Sequence, residues 1–148
     1  MLRKLIYTPN DTTALVARVT LGVVMFPHGA QKVLGWFGGY GFSGTMGFFT
    51  EQMGIPAVFA FLAILAEFAG SLGLITGLLS RLAAFGIASV MTVAIFMGHS
   101  ANGFFMNWYG NQKGEGYEYH LLAIGLALIV MIRGGGKFSV DQKLSEKI

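Results

Sequence analysis

Ten side chains able to bind or react stand inside or beside apolar runs of this sequence: Arg18, His28, Lys32, Trp36, Glu67, His99, Trp108, Glu118, Tyr119 and His120. Carboxylic acids and imidazoles exchange protons near neutrality when their surroundings tune them, so Glu67, His28 and Glu118 are the candidate proton relay. Arg18 and Lys32 are cations suited to an anionic ligand or intermediate. Trp36, His99, Trp108, Tyr119 and His120 add rings and hydrogen-bonding tips that could seat a flat ligand. Cysteine is absent, which removes thiol catalysis, disulfide exchange and thiolate metal sites. No metal is expected: His28, His99 and His120 could ligate one with a carboxylate, but they lack the spacing of a ligand motif, and this is a minor alternative. The glycine runs at 35–47 and 134–136 carry no phosphate-binding pattern and fit helix ends and close backbone approaches.

Whatever positions these groups is a membrane fold. Charged residues make up 11% of the 148 residues and apolar ones 54%, with a mean hydropathy of +0.63. An ordinary soluble domain carries roughly 25% charged residues, so lipid must cover much of this surface. The length suits one domain, residues 1–148. A net charge of +3 raises nucleic acid as a partner. The basic residues fall at helix ends and tails rather than in a stripe, however, and no nucleic-acid partner is expected. Arg18 interrupts the first apolar run, so that run is expected to stay as a span and not to be removed as a leader.

Four spans are predicted, at about residues 12–36, 57–79, 82–98 and 117–133. The fold class is therefore all-α, an integral membrane four-helix bundle. Arg3, Lys4, Arg81, Arg133, Lys137, Lys143 and Lys147 then share one side, while the loops at 35–56 and 99–117 hold only Lys113. The positive-inside rule puts both termini in the cytoplasm. Trp36, Trp108 and Tyr109 fall at the outer span ends, where amphipathic rings favour the headgroup layer. Between the first two spans, glycines from Gly35 to Gly47 alternate with aromatic residues. This segment reads as an interfacial or re-entrant lid. The pairs His28–Trp36 and His99–Trp108 hint at a duplicated hairpin.

At helical spacing Arg18, Gly22, Met25, Gly29 and Lys32 share a stripe, with His28 beside it, and Ala63, Glu67, Gly70 and Leu74 form another. Glu67 lies roughly 15 Å below the outer start of its span, near the midplane. Unpaired charge there is costly, so Glu67 is expected to face a basic group of span one, Arg18 or Lys32. With His28, His99, Glu118 and His120 in the same leaflet, these residues could form one outward-facing polar pocket with Glu67 at its floor. A purely structural ion pair for Glu67 or Arg18 and simple snorkelling of Lys32 are the competing readings.

The ordered set of features resembles the DoxX family of small bacterial membrane proteins. It comprises Arg18; His28-Gly29-Ala30-Gln31-Lys32 followed by Gly35-Trp36-Phe37-Gly38-Gly39; Glu67 with Gly70; Gly77-Leu78 and Arg81; Gly116-Tyr117-Glu118-Tyr119; and Gly134-Gly135-Gly136-Lys137-Phe138-Ser139-Val140-Asp141. The likeness covers almost the whole chain. It implies similarity to the small membrane subunit of an archaeal thiosulfate:quinone oxidoreductase, to a membrane anchor that assembles enzymes against oxidative stress, and to proteins serving redox-enzyme maturation. Three functions follow. The first is a redox-associated subunit, an oxidoreductase by resemblance only, whose pocket takes a quinone or small ligand while a partner or cofactor supplies electrons. The second is a non-catalytic scaffold docking other subunits or copies of itself. The third is a small-molecule or metal carrier. The sequence leaves the cofactor unknown, quinone being the candidate.

Overall fold

In a computed structural model, which describes residues 5–147, every regular element is helical and no strand occurs among the described residues. Arg3 and Lys4, counted above among the basic residues, lie outside the described residues. Helix α1 spans Thr12–Leu34 and starts where Asp11 accepts hydrogen bonds from the backbone N–H of Thr13 and Ala14, at 2.8 and 3.3 Å. It stops two residues short of the expected 36 because Gly35 turns left-handed at φ 71° and Trp36–Gly38 form a 3-10 turn. The glycine-aromatic segment is itself helical over α2, Gly41–Gly47, and continues into a π turn at Phe48–Gln52. Helix α3 spans Ala57–Thr76 and closes on Gly77 at φ 73°. Helix α4 spans Ser80–Ala94 and runs on through wider and tighter turns to Asn102. Helix α5 spans Glu118–Arg133, and a short α6 spans Val140–Ser145 after Ser139 caps it.

Three of these helices, Thr12–Leu34, Ala57–Thr76 and Ser80–Asn102, are long and apolar enough to cross a bilayer. This is a membrane protein. Helix α5 has 16 residues, about 24 Å of rise, a little under the ~30 Å hydrocarbon core.

The long helices pack as neighbours in a ring, α1 against α3, α3 against α4, α4 against α5 and α5 back against α1. Leu21, Met25, Leu74, Ile87, Met91, Ala127 and Val130 fill the interior, while Val16, Phe59, Leu62, Phe85, Leu122 and Ile132 face outward. Apolar side chains on both sides are what a lipid solvent permits. Between apolar surfaces in lipid, close packing must supply the attraction. A Cβ added at Gly29 would sit 2.6 Å from the Phe68 Cα, so α1 and α3 touch backbone to backbone there.

Helix direction alternates around the ring. The start of α1, the end of α3, the start of α4 and the end of α5 meet at one end. There Arg81 donates to the carbonyls of Tyr7, Met131 and Ile132, and Gly136 N–H donates to Thr8 Oγ1. The described N- and C-terminal segments therefore share that end. At the opposite end lie the two connecting loops. These are not copies of one hairpin: the first is helical, whereas the second, residues 103–117, is irregular.

Candidate functional site

At the loop end, Glu67 points inward from α3 and is 4% exposed. The Lys32 ammonium of α1 reaches its Oε2 at 2.5 Å. The approach compensates the charge but is not aligned as a hydrogen bond, so Oε2 has no directed donor. Of the two cations expected opposite Glu67, Lys32 is the partner. The Lys32 side chain keeps 22% of its surface against 6% for Glu67, so Lys32 roofs the carboxylate and is the accessible half of the pair. The expected open pocket with Glu67 at its floor is thus a packed site closed by Lys32. His28, one turn before Lys32 on α1, is exposed.

A file of rings runs from His28 across α5 to the end of α4. His28 and Tyr119 have centroids 6.0 Å apart, Tyr119 and His120 5.6 Å, and His120 and His99 4.1 Å. Tyr119 donates its hydroxyl to Met25 Sδ at 3.4 Å. His99 Nδ1 lies 2.9 Å from the Glu115 carbonyl. A carbonyl only accepts, so that nitrogen carries a proton. His120 is buried, and its Nδ1 has no partner among the described residues. Among the described residues, no three His, Asp or Glu side chains gather closely enough to hold an ion.

The other expected site residues are occupied elsewhere. Glu118 Oε1 accepts from Met106 N–H at 2.9 Å and from Trp108 Nε1 at 3.0 Å, so it organises the 103–117 loop rather than facing Glu67. Trp108 is otherwise largely exposed, and Trp36 stacks edge-on against Phe37 in the 3-10 turn. Arg18 sits at the opposite end, 2% exposed. It neither pairs with Glu67 nor snorkels to water. It donates to the carbonyls of Gly135, Leu74, Ile75 and Lys137. Two of those are end carbonyls of α3, which lack partners in their own helix.

Sequence reasoning missed the polar network around Arg18. Asp141 is 1% exposed, and accepts from Leu79 N–H, Ser80 N–H and Ser80 Oγ at 2.7–2.8 Å, capping the start of α4 from the C-terminal segment. Ser139 Oγ donates to Gly136 O and accepts from Gln142 N–H. The available signal was Ser139-x-Asp141 after three glycines, a helix start tied to a segment that other backbone must approach closely. Asp11 accepts from Arg133 Nε at 2.6 Å. That guanidinium, ahead of the backbone donors, holds the Asp11 carboxyl below its usual range.

Comparison with known proteins adds to this geometry. The DoxX family model matches residues 13–100. A curated protein of Escherichia coli strain K12, "Inner membrane protein YqjF", is 29% identical over 138 residues, covering 93% of this chain and 96% of the relative. No solved structure matches.

Proposed function

This chain belongs to the DoxX family, and from that premise we propose that it is a redox-associated membrane subunit which seats a quinone or similar small ligand against the Lys32–Glu67 pair. In this reading α5 is a fourth span, completed at its ends by Tyr117 and Gly134. Arg81, Arg133, Lys137, Lys143 and Lys147 gather at the termini end, so the positive-inside rule sets both termini in the cytoplasm. The host membrane is the bacterial inner membrane, as the name of the relative from Escherichia coli says of that protein.

One observation carries the reading: an ionisable carboxylate, 4% exposed in the middle of a span, meets a lysine that stays partly accessible. Charge inside a span is expensive, and where it persists it marks a pathway or a ligand. Reducing a quinone takes two electrons and two protons. Lys32 steadies the anionic oxygen, Glu67 and His28 pass the protons, and a partner protein's redox centre supplies the electrons. The test is isoprenoid quinone retained per protein after purification in mild detergent, measured by mass spectrometry in the native chain, Glu67→Gln and Lys32→Met. The native chain should retain quinone and Lys32→Met should lose it. Glu67→Gln, which cannot exchange a proton, should retain quinone yet fail to support its reduction in membranes that still hold the electron-donating partner. Equal retention and reduction in all three would refute the reading.

A scaffold role is the second reading, and it too has an observation in its favour. Arg18, Arg81, Asp141 and Glu118 are all spent on holding backbone, while Lys143, Leu144 and Lys147 stand exposed at the termini end. Partner subunits or further copies of the chain would dock there. The scaffold reading predicts unchanged partner recovery in Glu67→Gln and loss on altering the 137–147 segment.

A further inference from the structure

Helices α1 and α5 do not close along their full length. Near the termini end a groove of about 360 Å³ opens between them, lined by Thr12, Thr13, Val16, Ala17, Leu126 and Ile129. Its walls are apolar and its only hydroxyls are at the end nearest the termini. Leu126, Ile129 and Arg133 follow one another on a single face of α5, at spacings of three and four residues. The groove therefore leads down to Arg133. That guanidinium gives Nε to Asp11, while more than half of its side chain surface remains exposed. The Lys137 backbone N–H lies 3.0 Å from the Asp11 carbonyl, which brings this residue to the same corner, and its ammonium rests 5.0 Å from the centroid of the exposed Phe138 ring, from which it can swing to a ligand. Arg133, Lys137 and Asp11 together leave one net positive charge where the apolar groove ends.

We propose that this groove binds an anionic phospholipid, one acyl chain lying between α1 and α5 and its phosphodiester held by Arg133 and Lys137 with the Thr12 and Thr13 hydroxyls. The groove holds about a dozen groups of water or methylene size, enough for part of one acyl chain. Its polar end lies where the headgroups lie if α5 spans the membrane, and to that extent the assignment rests on the topology proposed above. Basic corners between spans on the cytoplasmic side suit anionic headgroups, and a guanidinium fixed through Nε still presents paired N–H groups to a phosphate. A zwitterionic headgroup would bring a second cation to an already positive corner and is disfavoured.

The test is native mass spectrometry of the detergent-solubilised chain offered equal amounts of phosphatidylglycerol and phosphatidylethanolamine. One phosphatidylglycerol should be retained in preference. Arg133→Gln should weaken that retention by about tenfold, the loss of a charge-assisted hydrogen bond, and Arg133→Lys should restore part of it. Val16→Trp, on an exposed position of the groove wall, should block the lipid without touching the charged corner. Quinone retention, read in the same spectra, should not change in any of these variants, and an inverted topology would not alter binding in micelles. Equal retention of the two lipids by the native chain, or undiminished phosphatidylglycerol in both Arg133→Gln and Val16→Trp, would overturn the assignment. So would loss of quinone in place of lipid in Val16→Trp.

Discussion

Replacing Lys32 by Met should destabilise the protein more than replacing Glu67 by Met, and replacing both should cost less than losing Lys32 alone. The asymmetry comes from where each charge can go when its partner is removed. Lys32 lies two residues before the end of α1 with 22% of its side chain surface open. Without Glu67 its ammonium can extend to the headgroup layer, so Glu67→Met should cost about 1 kcal/mol. Glu67 is ten residues into α3, about 15 Å of helix from its start, and its side chain keeps 6% of its surface. It has no such exit. Stranding a buried charge costs about 3–5 kcal/mol, and Lys32→Met should fall in that range. The double variant removes both charges and should lie within about 1 kcal/mol of the native chain. The cycle then yields a coupling of roughly 3 kcal/mol or more. Steric trapping in bicelles, which reads unfolding free energy without strong denaturant, gives all four values. Additive single changes, or a greater loss from Glu67→Met than from Lys32→Met, would refute the inference that the two groups meet as a buried pair with Lys32 as its open half.

Three further outcomes are expected. The chain is free of cysteine, so single cysteines at Lys143 and Ser43 report topology: an impermeant thiol reagent on intact cells should label position 43 and spare 143. Gly29→Ala should lower stability by about 1–3 kcal/mol, the usual cost of overpacking, because its Cβ would lie 2.6 Å from the Phe68 backbone; melting temperature in detergent checks it. The Asp11 carboxyl is held below its ordinary value of 3.8 by Arg133 and by backbone donors. Its contribution is therefore complete above that pH and is lost as pH falls through the depressed value, so melting curves between pH 6 and pH 3 should decline less steeply in Asp11→Asn than in the native chain.

Periodicity in the sequence located the three long apolar helices and the inward faces of α1 and α3, including the stripe that brings Lys32 and Glu67 together. It could do so because a helix repeats every 3.6 residues, whatever its neighbours are. It could not choose between Arg18 and Lys32 as the partner of Glu67, since both lie on the same stripe and differ only in height. Arg18 touches the carbonyls of Leu74 and Ile75, seven and eight residues beyond Glu67, or about 10–12 Å further along α3. Height depends on how the helices are offset, and that offset is set by Gly29 against Phe68 and by the returning segment after α5. Both are contacts between residues distant in sequence. The loop contacts of Glu118 were not legible for a related reason: a carboxylate at the first position of a helix looks the same in sequence whether it faces the bundle or folds back on its own loop.

The ionisable residues divide by end of the bundle, and that division bears on function. At the termini end the two fully buried charges are well bonded: Arg18 donates to four carbonyls and Asp141 accepts three hydrogen bonds, although Arg81 Nε there is buried without a partner among the described residues. Arg18 and Asp141 are fixed by their geometry, because moving or neutralising one strands several others. The loop end differs. Glu67 Oε2 has a cation beside it but no aligned donor, and His120 Nδ1 has none among the described residues. Groups left short of hydrogen bonds in a packed interior are where a ligand or a moving proton has something to gain. What sets the loop end apart is that its underbonded groups are a mid-span carboxylate and an imidazole, both able to exchange a proton, whereas the guanidinium of Arg81 keeps its charge. The Lys32–Glu67 pair is therefore where the proposed ligand is to be tested first, and the hydrogen-bonded network around Arg18 is what fixes the helices at the other end.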